Sequence, residues 1–201
     1  MSYSDFSLSR VAKEFQLTII EKEGLFADIP PQKCSDLLKE TLRYNVPLAI
    51  ANNTEKARSE LIISPVLLEA RRQQETQQEK FNFFSGVRFD VDESKGLNGF
   101  CDFIVSRSNE LLFITAPIIM LVEAKNENIF NGIGQCIAEM LAAQIFNQRE
   151  NNPIEPIFGI VTTGTVWQFI KLEDKTVYID LREYYIRDVR DIENIIGFLT
   201  Q

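Results

Sequence analysis

Residues 118–125 read IIMLVEAK, and they constrain the fold more than any other stretch of the chain. An unbroken apolar run, Ile118 to Val122, fits a buried strand. Glu123, Ala124 and Lys125 follow with no turn residue between. In a strand, residues i and i+2 point to the same side. Glu123 and Lys125 therefore share one face at the carboxyl end of the strand, beside apolar neighbours, and that placement needs a reason.

The missing residue types narrow the reasons. The chain has no histidine, which excludes a Ser-His-Asp triad, a histidine zinc site and a histidine general base. Cys34, Cys101 and Cys136 are odd in number and widely spaced. They form neither a disulfide framework nor a zinc pattern and are expected as small buried residues. Chemistry here has to rest on carboxylates, lysine, metal ions or backbone groups.

The formal net charge is −8, with 13 basic and 15 acidic side chains in residues 1–100 and 8 and 14 in residues 101–201. Phosphate neutralisation dominates affinity for nucleic acid, so this balance disfavours a strong non-specific DNA binder. It leaves open a local basic groove, a partner that supplies positive charge, or cations that mask an acidic site. No apolar run approaches the roughly 18–20 residues that span a bilayer, and MSYSDFSLSRVAKEF lacks a charged-then-apolar leader pattern. The expectation is a cytoplasmic protein with no membrane partner.

Hydropathy spacing gives the order of elements, with no repeat or linker, and so one domain over residues 1–201. LSRVAKEF reads as a short helix and LTII as a small strand. CSDLLKETLRYNVPLAIA has helical spacing at Leu37, Leu38 and Leu42, which Pro47 should interrupt. A longer helix is expected from about Asn53 to Lys80, capped by Asn53 or Thr54 and kinked or broken at Pro65. Strand-like segments follow: KFNFFSGVRFDV, the acidic turn DESKGLNG, FCDFIVSRS, and ELLFITA leading into PIIMLVEAK. Then come the amphipathic helix IFNGIGQCIAEMLAAQIFNQRE, the strands PIFGIVTT, VWQFIKL and TVYIDL, and a last helix from about Val189 to Leu199. The order is mixed α/β.

The polar residues on this map converge. Asp102 lies inside the apolar run GFCDFIV, where a charge needs a partner or a metal. Two carboxylates from neighbouring strands, Asp102 and Glu123, make a hard-oxygen site suited to Mg²⁺ or Mn²⁺. Lys125 alongside can orient a water and offset charge developing on a phosphate. In the next helix Asn128, Asn131, Gln135 and Glu139 form a polar stripe opposite Ile133, Cys136, Ile137, Met140 and Ala143, and Gln135 is the member placed to reach the strand end.

Asp102, then Glu123-Ala124-Lys125, then Gln135 in the following helix resembles the PD-(D/E)xK nuclease superfamily, whose fold is restriction-endonuclease-like. The resemblance implies a core of helix, three antiparallel strands, helix and strand over about residues 54–161. Residues 1–53 would be a helical extension, with a C-terminal hairpin and helix after the core. It also implies Asp102, Glu123, the Ala124 carbonyl and Glu60 (in ARSELIISP) as metal ligands. Asp102, Glu123, Lys125 and Gln135 would be the catalytic set. GIVTTGTVWQFIKL is similar to the segment after the second core helix of type I restriction-subunit nuclease domains, where an aromatic residue, here Trp167, follows a Thr-x-Gly turn. Cys101 stands where the family often has proline.

The implied function is a metal-dependent phosphodiesterase acting on nucleic acid, DNA first, with a protein partner subunit or a homodimer left open. A second class of function is a nuclease-fold binding or regulatory subunit with little cleavage of its own, which the acidic balance favours. Other signals reduce to structure. DVDE at 90–93 lacks the spacing of a calcium loop. GIG at 132–134 has no Gly-Lys-Ser/Thr after it and is no phosphate loop. Arg71 and Arg72 sit among acids on a helix face, and Trp167 is expected to be packed.

Overall fold

The computed structural model describes residues 1–76 and 81–201. Its strands are β1 (Thr18–Lys22), β2 (Asn82–Arg88), β3 (Phe100–Ser106), β4 (Ile118–Ala124), β5 (Ile157–Thr162), β6 (Val166–Glu173), β7 (Thr176–Asp180) and β8 (Tyr184–Tyr185). Its helices are α1 (Leu8–Phe15), α2 (Asp36–Asn52), α3 (Glu55–Arg58), α4 (Ser64–Thr76), α5 (Phe130–Arg149) and α6 (Val189–Leu199). Among the described residues the strands form one eight-stranded mixed sheet in the order β1-β7-β6-β5-β4-β3-β2, with β8 beside β6.

Local connections explain most of that order. β2, β3 and β4 are antiparallel neighbours. β4 and β5 are parallel, which requires a crossover, and α5 provides it. β5, β6 and β7 return as antiparallel neighbours. Helices cover both faces. Leu38 and Leu42 of α2, Leu67 of α4 and Phe198 of α6 pack with Phe103 and Val122 on one side. Val11 of α1 and Ile133, Ile137 and Met140 of α5 pack with Ile104 and Leu121 on the other. Burial on both faces accounts for β4 being apolar from Ile118 to Val122 without alternation.

α5 is buried around most of its circumference, although its sequence has a polar stripe. The sheet takes one side, and the Tyr3–Asp5 turn with α1 takes the other. A side chain at Gly134 would put its Cβ 2.3 Å from the Ser7 carbonyl carbon, so only glycine lets the N-terminal segment lie against the helix. Near the far end of α5, fully buried Asn147 acts as an extra strand partner. It accepts from the Ile118 N–H at 2.8 Å and donates to the Ile118 carbonyl at 2.7 Å. Residues 1–53 are thus built into the same body, and β1 adds a parallel edge strand beside β7.

The two helical prolines behave differently from each other. Pro47 does not interrupt α2, which runs through it to Asn52. Leu42 and Ala49, buried on either side of it, outweigh one missing hydrogen bond. Thr54, not Asn53, caps the next helix by accepting from the Ala57 N–H, while Asn53 ends α2 in the left-handed region at φ 52°. That helix then widens into a π turn at Ser59–Ile63 just before Pro65. The carbonyl that Pro65 cannot bond, on Leu61, accepts from Asn45 Nδ2 at 2.9 Å instead. The expected extension of α4 over residues 77–80 lies outside the described residues. ELLFITA is a loop rather than a strand, tied down by Ser106 Oγ donating to the Thr115 carbonyl at 2.7 Å.

Candidate active site

β3 and β4 place the first two acids. Their register, Phe103 opposite Val122 and Ile104 opposite Leu121, brings Asp102 level with the end of β4. Asp102 Oδ2 accepts the Ala124 N–H at 2.7 Å, so the carboxylate is tied to the strand beside it. Glu123 and Lys125 lie on the α5 side, as the two-residue period requires. The Lys125 ammonium donates to Glu123 Oε1 and, at 3.2 Å, to Gln135 Oε1. Gln135 Nε2 then donates to Glu139 Oε1 at 3.1 Å. This amide orientation is the one that satisfies both neighbours, since ammonium only donates and carboxylate accepts.

The result is a hydrogen-bonded chain from Glu123 through Lys125 and Gln135 to Glu139, with Asp102 beside its outer end, closed from water at its inner end. Glu123 is 1% exposed and Glu139 is fully buried. Among the described residues no N–H or hydroxyl donor reaches the buried Oε2 of either. Burial, then the neighbouring Asp102 charge, raises the Glu123 carboxyl above its ordinary range, and Lys125 only partly opposes this. Burial and then Glu123 raise Glu139 further. Burial also raises Asp102, against the Ala124 N–H and Lys125. Burial alone would lower Lys125, but Glu123, Glu55 and Asp102 together hold it above its usual value, and it stays charged.

Asp102, Glu123, Ala124, Lys125 and Gln135 are brought together. Glu60 is not among them, because it points to solvent and pairs with Lys56 at 3.7 Å. Glu55, one turn earlier, is the acid of this helix that acts electrostatically on Lys125 and Asp102. The same helix contributes Arg58, buried at 8% exposure. Arg58 donates to Asn126 Oδ1 at 3.2 Å, to the Thr163 carbonyl at 3.0 Å and to Asn53 Oδ1 at 3.3 Å. It fixes the residue after Lys125 against the end of β5. Its signal in the sequence is weak, since Ala57 has a base on either side, Lys56 and Arg58.

Gly132 is the other residue that motif reasoning passes over. A Cβ there would stand 2.6 Å from Val161 Cγ1 and 3.1 Å from Lys125 Cε. Its bare backbone gives Lys125 room to lie across the start of α5. Trp167 is fully buried and donates to the Gly164 carbonyl at 2.9 Å, a packed residue as its context suggests. The three cysteines are free and buried.

The donor set suits a hard cation of limited protein ligation. Among the described residues no three His, Cys, Asp or Glu side chains gather into a metal-holding group by themselves. Asp102 and Glu123 supply two carboxylates, one with a buried oxygen lacking a donor. Mg²⁺ commonly takes one or two carboxylates and completes its shell with water and phosphate oxygens. No protein-family model and no curated protein matches the chain.

Proposed function

We propose that the chain is a Mg²⁺- or Mn²⁺-dependent phosphodiesterase of the PD-(D/E)xK kind, on a restriction-endonuclease-like fold, acting on nucleic acid and on DNA first. The observation that carries this reading is Glu123. It is a carboxyl group buried at the end of a central strand, level with Asp102 and beside Lys125, with one oxygen that no N–H or hydroxyl donor among the described residues reaches. The element order of helix, three antiparallel strands, crossover helix and parallel strand supports it as well.

Asp102 and Glu123 would hold the cation, with the Ala124 carbonyl a third ligand. When bound, the cation lowers the pKa of a water and neutralises phosphate charge. Lys125, held charged, offsets the negative charge that builds on the phosphoryl oxygens and orients the attacking water. Gln135 keeps the ammonium in line through its 3.2 Å hydrogen bond. Arg58 keeps the chain after Lys125 from drifting, which matters because small misplacements carry large rate penalties. The second reading, a binding or regulatory subunit, is favoured by the net charge of −8, which repels a polyanion.

The test is cleavage of supercoiled plasmid and of single-stranded DNA with Mg²⁺ or Mn²⁺, alongside calorimetric titration of the metal. Metal-dependent cutting should fall by at least about 10³-fold in Lys125→Ala and in Glu123→Gln. Metal binding that Glu123→Gln abolishes, without any cutting by the native chain, selects the subunit reading. No metal binding at all removes both the cation and the phosphodiesterase.

A further inference from the structure

β3 has one side chain open to water. Cys101 to Ser106 are buried or half-buried, whereas Phe100 is 64% exposed. Phe100 stands two residues before Asp102, so it shares that acid's face of the sheet, about 7 Å along the strand. The antiparallel register sets Arg88 of β2 directly opposite Phe100. The two border a hollow of about 450 Å³ that is lined also by Gln135 and by the polar residues Ser2, Ser4 and Asn98. Gln135 is the residue that holds the Lys125 ammonium. The hollow and the candidate active site therefore share a wall.

The hollow offers a ring, a guanidinium fork and hydroxyl and amide groups. Asp90 clamps the arginine by its elbow: its Oδ2 accepts Arg88 Nε at 2.6 Å, and its Oδ1 accepts the Gly99 N–H at 3.0 Å. The clamp uses Nε alone. Among the described residues neither terminal nitrogen of Arg88 makes a hydrogen bond, and the side chain is 61% exposed. Two free, parallel N–H groups of this kind match a phosphate. The ring beside them gives a base a face to stack on. Asp90 also cancels the charge of Arg88, and the whole chain carries −8. Long-range attraction to phosphate is therefore absent, and stacking has to supply most of the affinity.

We infer that this hollow is the subsite for one unpaired nucleotide beside the phosphate held at Asp102 and Glu123. Its base stacks on Phe100, and its own phosphate meets the Arg88 fork. A base inside a duplex has both faces covered by its neighbours, and freeing one costs unstacking energy. The subsite thus selects single-stranded nucleic acid over duplex. The inference rests on the nucleic-acid ligand of the proposed function, but not on cleavage.

The test therefore reads binding apart from cutting. Fluorescence anisotropy of a labelled single-stranded DNA oligonucleotide is followed in metal-free buffer and with Ca²⁺ in place of Mg²⁺. Binding should be at least about fivefold tighter than for the matching duplex. Phe100→Ala should weaken it by more than about fivefold, with circular dichroism unchanged because the ring is exposed. Phe100→Trp should restore it, and the new indole should be quenched as DNA binds. That signal is clean because Trp167, the one native tryptophan, is fully buried. Arg88→Gln with Asp90→Asn, which keeps the net charge, should lower the log–log salt slope by about 0.7, one phosphate contact. Phe113→Ala, 58% exposed in the loop that enters the opposite end of β4, should change nothing. No binding in either buffer, equal affinity for duplex, or indifference to Phe100→Ala would each overturn the subsite. Phe100-dependent binding by a chain that cuts no DNA upholds the subsite and removes only the phosphodiesterase. Cutting of single strands that ignores Phe100→Ala does the reverse.

Discussion

The molecule buries carboxylates in two contrasting ways. Glu69 of α4, 3% exposed, has every acceptor position used. Its Oε1 takes the Ser35 N–H at 3.1 Å and Gln73 Nε2 at 2.9 Å, and its Oε2 takes Ser35 Oγ at 2.9 Å and the Arg72 guanidinium. Burial by itself would raise this carboxyl, but the Gln73 and Ser35 hydrogen bonds and Arg72 outweigh it and hold it below its usual range. Across the sheet, Glu123 and Glu139 are buried with orphaned oxygens, and both carboxyls are raised. The first arrangement fastens α2 to α4. The second leaves both Oε2 atoms without a described N–H or hydroxyl donor, and the proposed cation site rests on that contrast.

The contrast can be broken by measurement, and the largest effect is expected at the satisfied acid. Glu69→Ala removes the acceptor of the Ser35 N–H and hydroxyl and one acceptor each of Gln73 and Arg72, and should lower unfolding free energy by about 3 kcal/mol in urea titration. A loss below about 1 kcal/mol would mean that the cluster is solvated in practice and the comparison false.

Glu139→Gln should move the other way. It relieves repulsion against Glu123 and keeps an acceptor for Gln135, so stability in metal-free buffer should rise by about 1 kcal/mol near neutrality. Its pH signature has a definite sign. A carboxyl raised in the folded state binds its proton more tightly folded than unfolded, so native stability falls as pH climbs above the unfolded value of about 4.3. The variant should lose the share of that decline due to Glu139, leaving that of Glu123 and Asp102, which melting curves taken at successive pH values would reveal.

The smallest effect sharpens the comparison from the side of Glu69. Ser35 caps α2 by accepting from the Leu38 N–H at 3.1 Å as well as holding Glu69. Ser35→Ala should cost about 1 kcal/mol at neutral pH. A depressed carboxyl contributes stability that is present above about pH 4.3 and lost as pH falls through the lower folded value, so part of that cost should vanish in acid. An unchanged deficit at acid pH would assign the whole effect to the helix cap.

What could be read from the sequence follows from which periods hold. A strand repeats every two residues away from bulges, and the β3–β4 register shift falls at Val105/Ser106, past Asp102, so Glu123 and Lys125 sharing a face, and Asp102 standing out in an apolar strand, are visible in one dimension. Gln135 and Glu139 are legible as one stripe of α5 for the same reason. The stripe's surroundings are not, because the cover comes from residues 1–15, and only Gly134 hints at a close approach. Glu60 is the informative miss. A 3.6-residue period cannot be carried through the π turn at Ser59–Ile63, so which acid of that helix faces the site is undetermined by spacing. Arg58 is hidden by its partners, two asparagines and a carbonyl from three separate segments. Pro47 misleads because helix propensity is local, whereas the burial that overrides it is not.

β1 has a consequence for how the chain is assembled in time. It pairs in parallel with β7, Thr18 opposite Thr176 and Lys22 opposite Asp180. A ribosome therefore releases the first strand long before its partner exists. The β2–β3–β4 meander closes from neighbouring segments, and β5 can join it once α5 has emerged. β1 must wait, unpaired, until β7 is out, since a contact between distant segments carries the largest loop-closure entropy. The sheet is thus finished at its edge, where β1 and β7 join after the meander has closed.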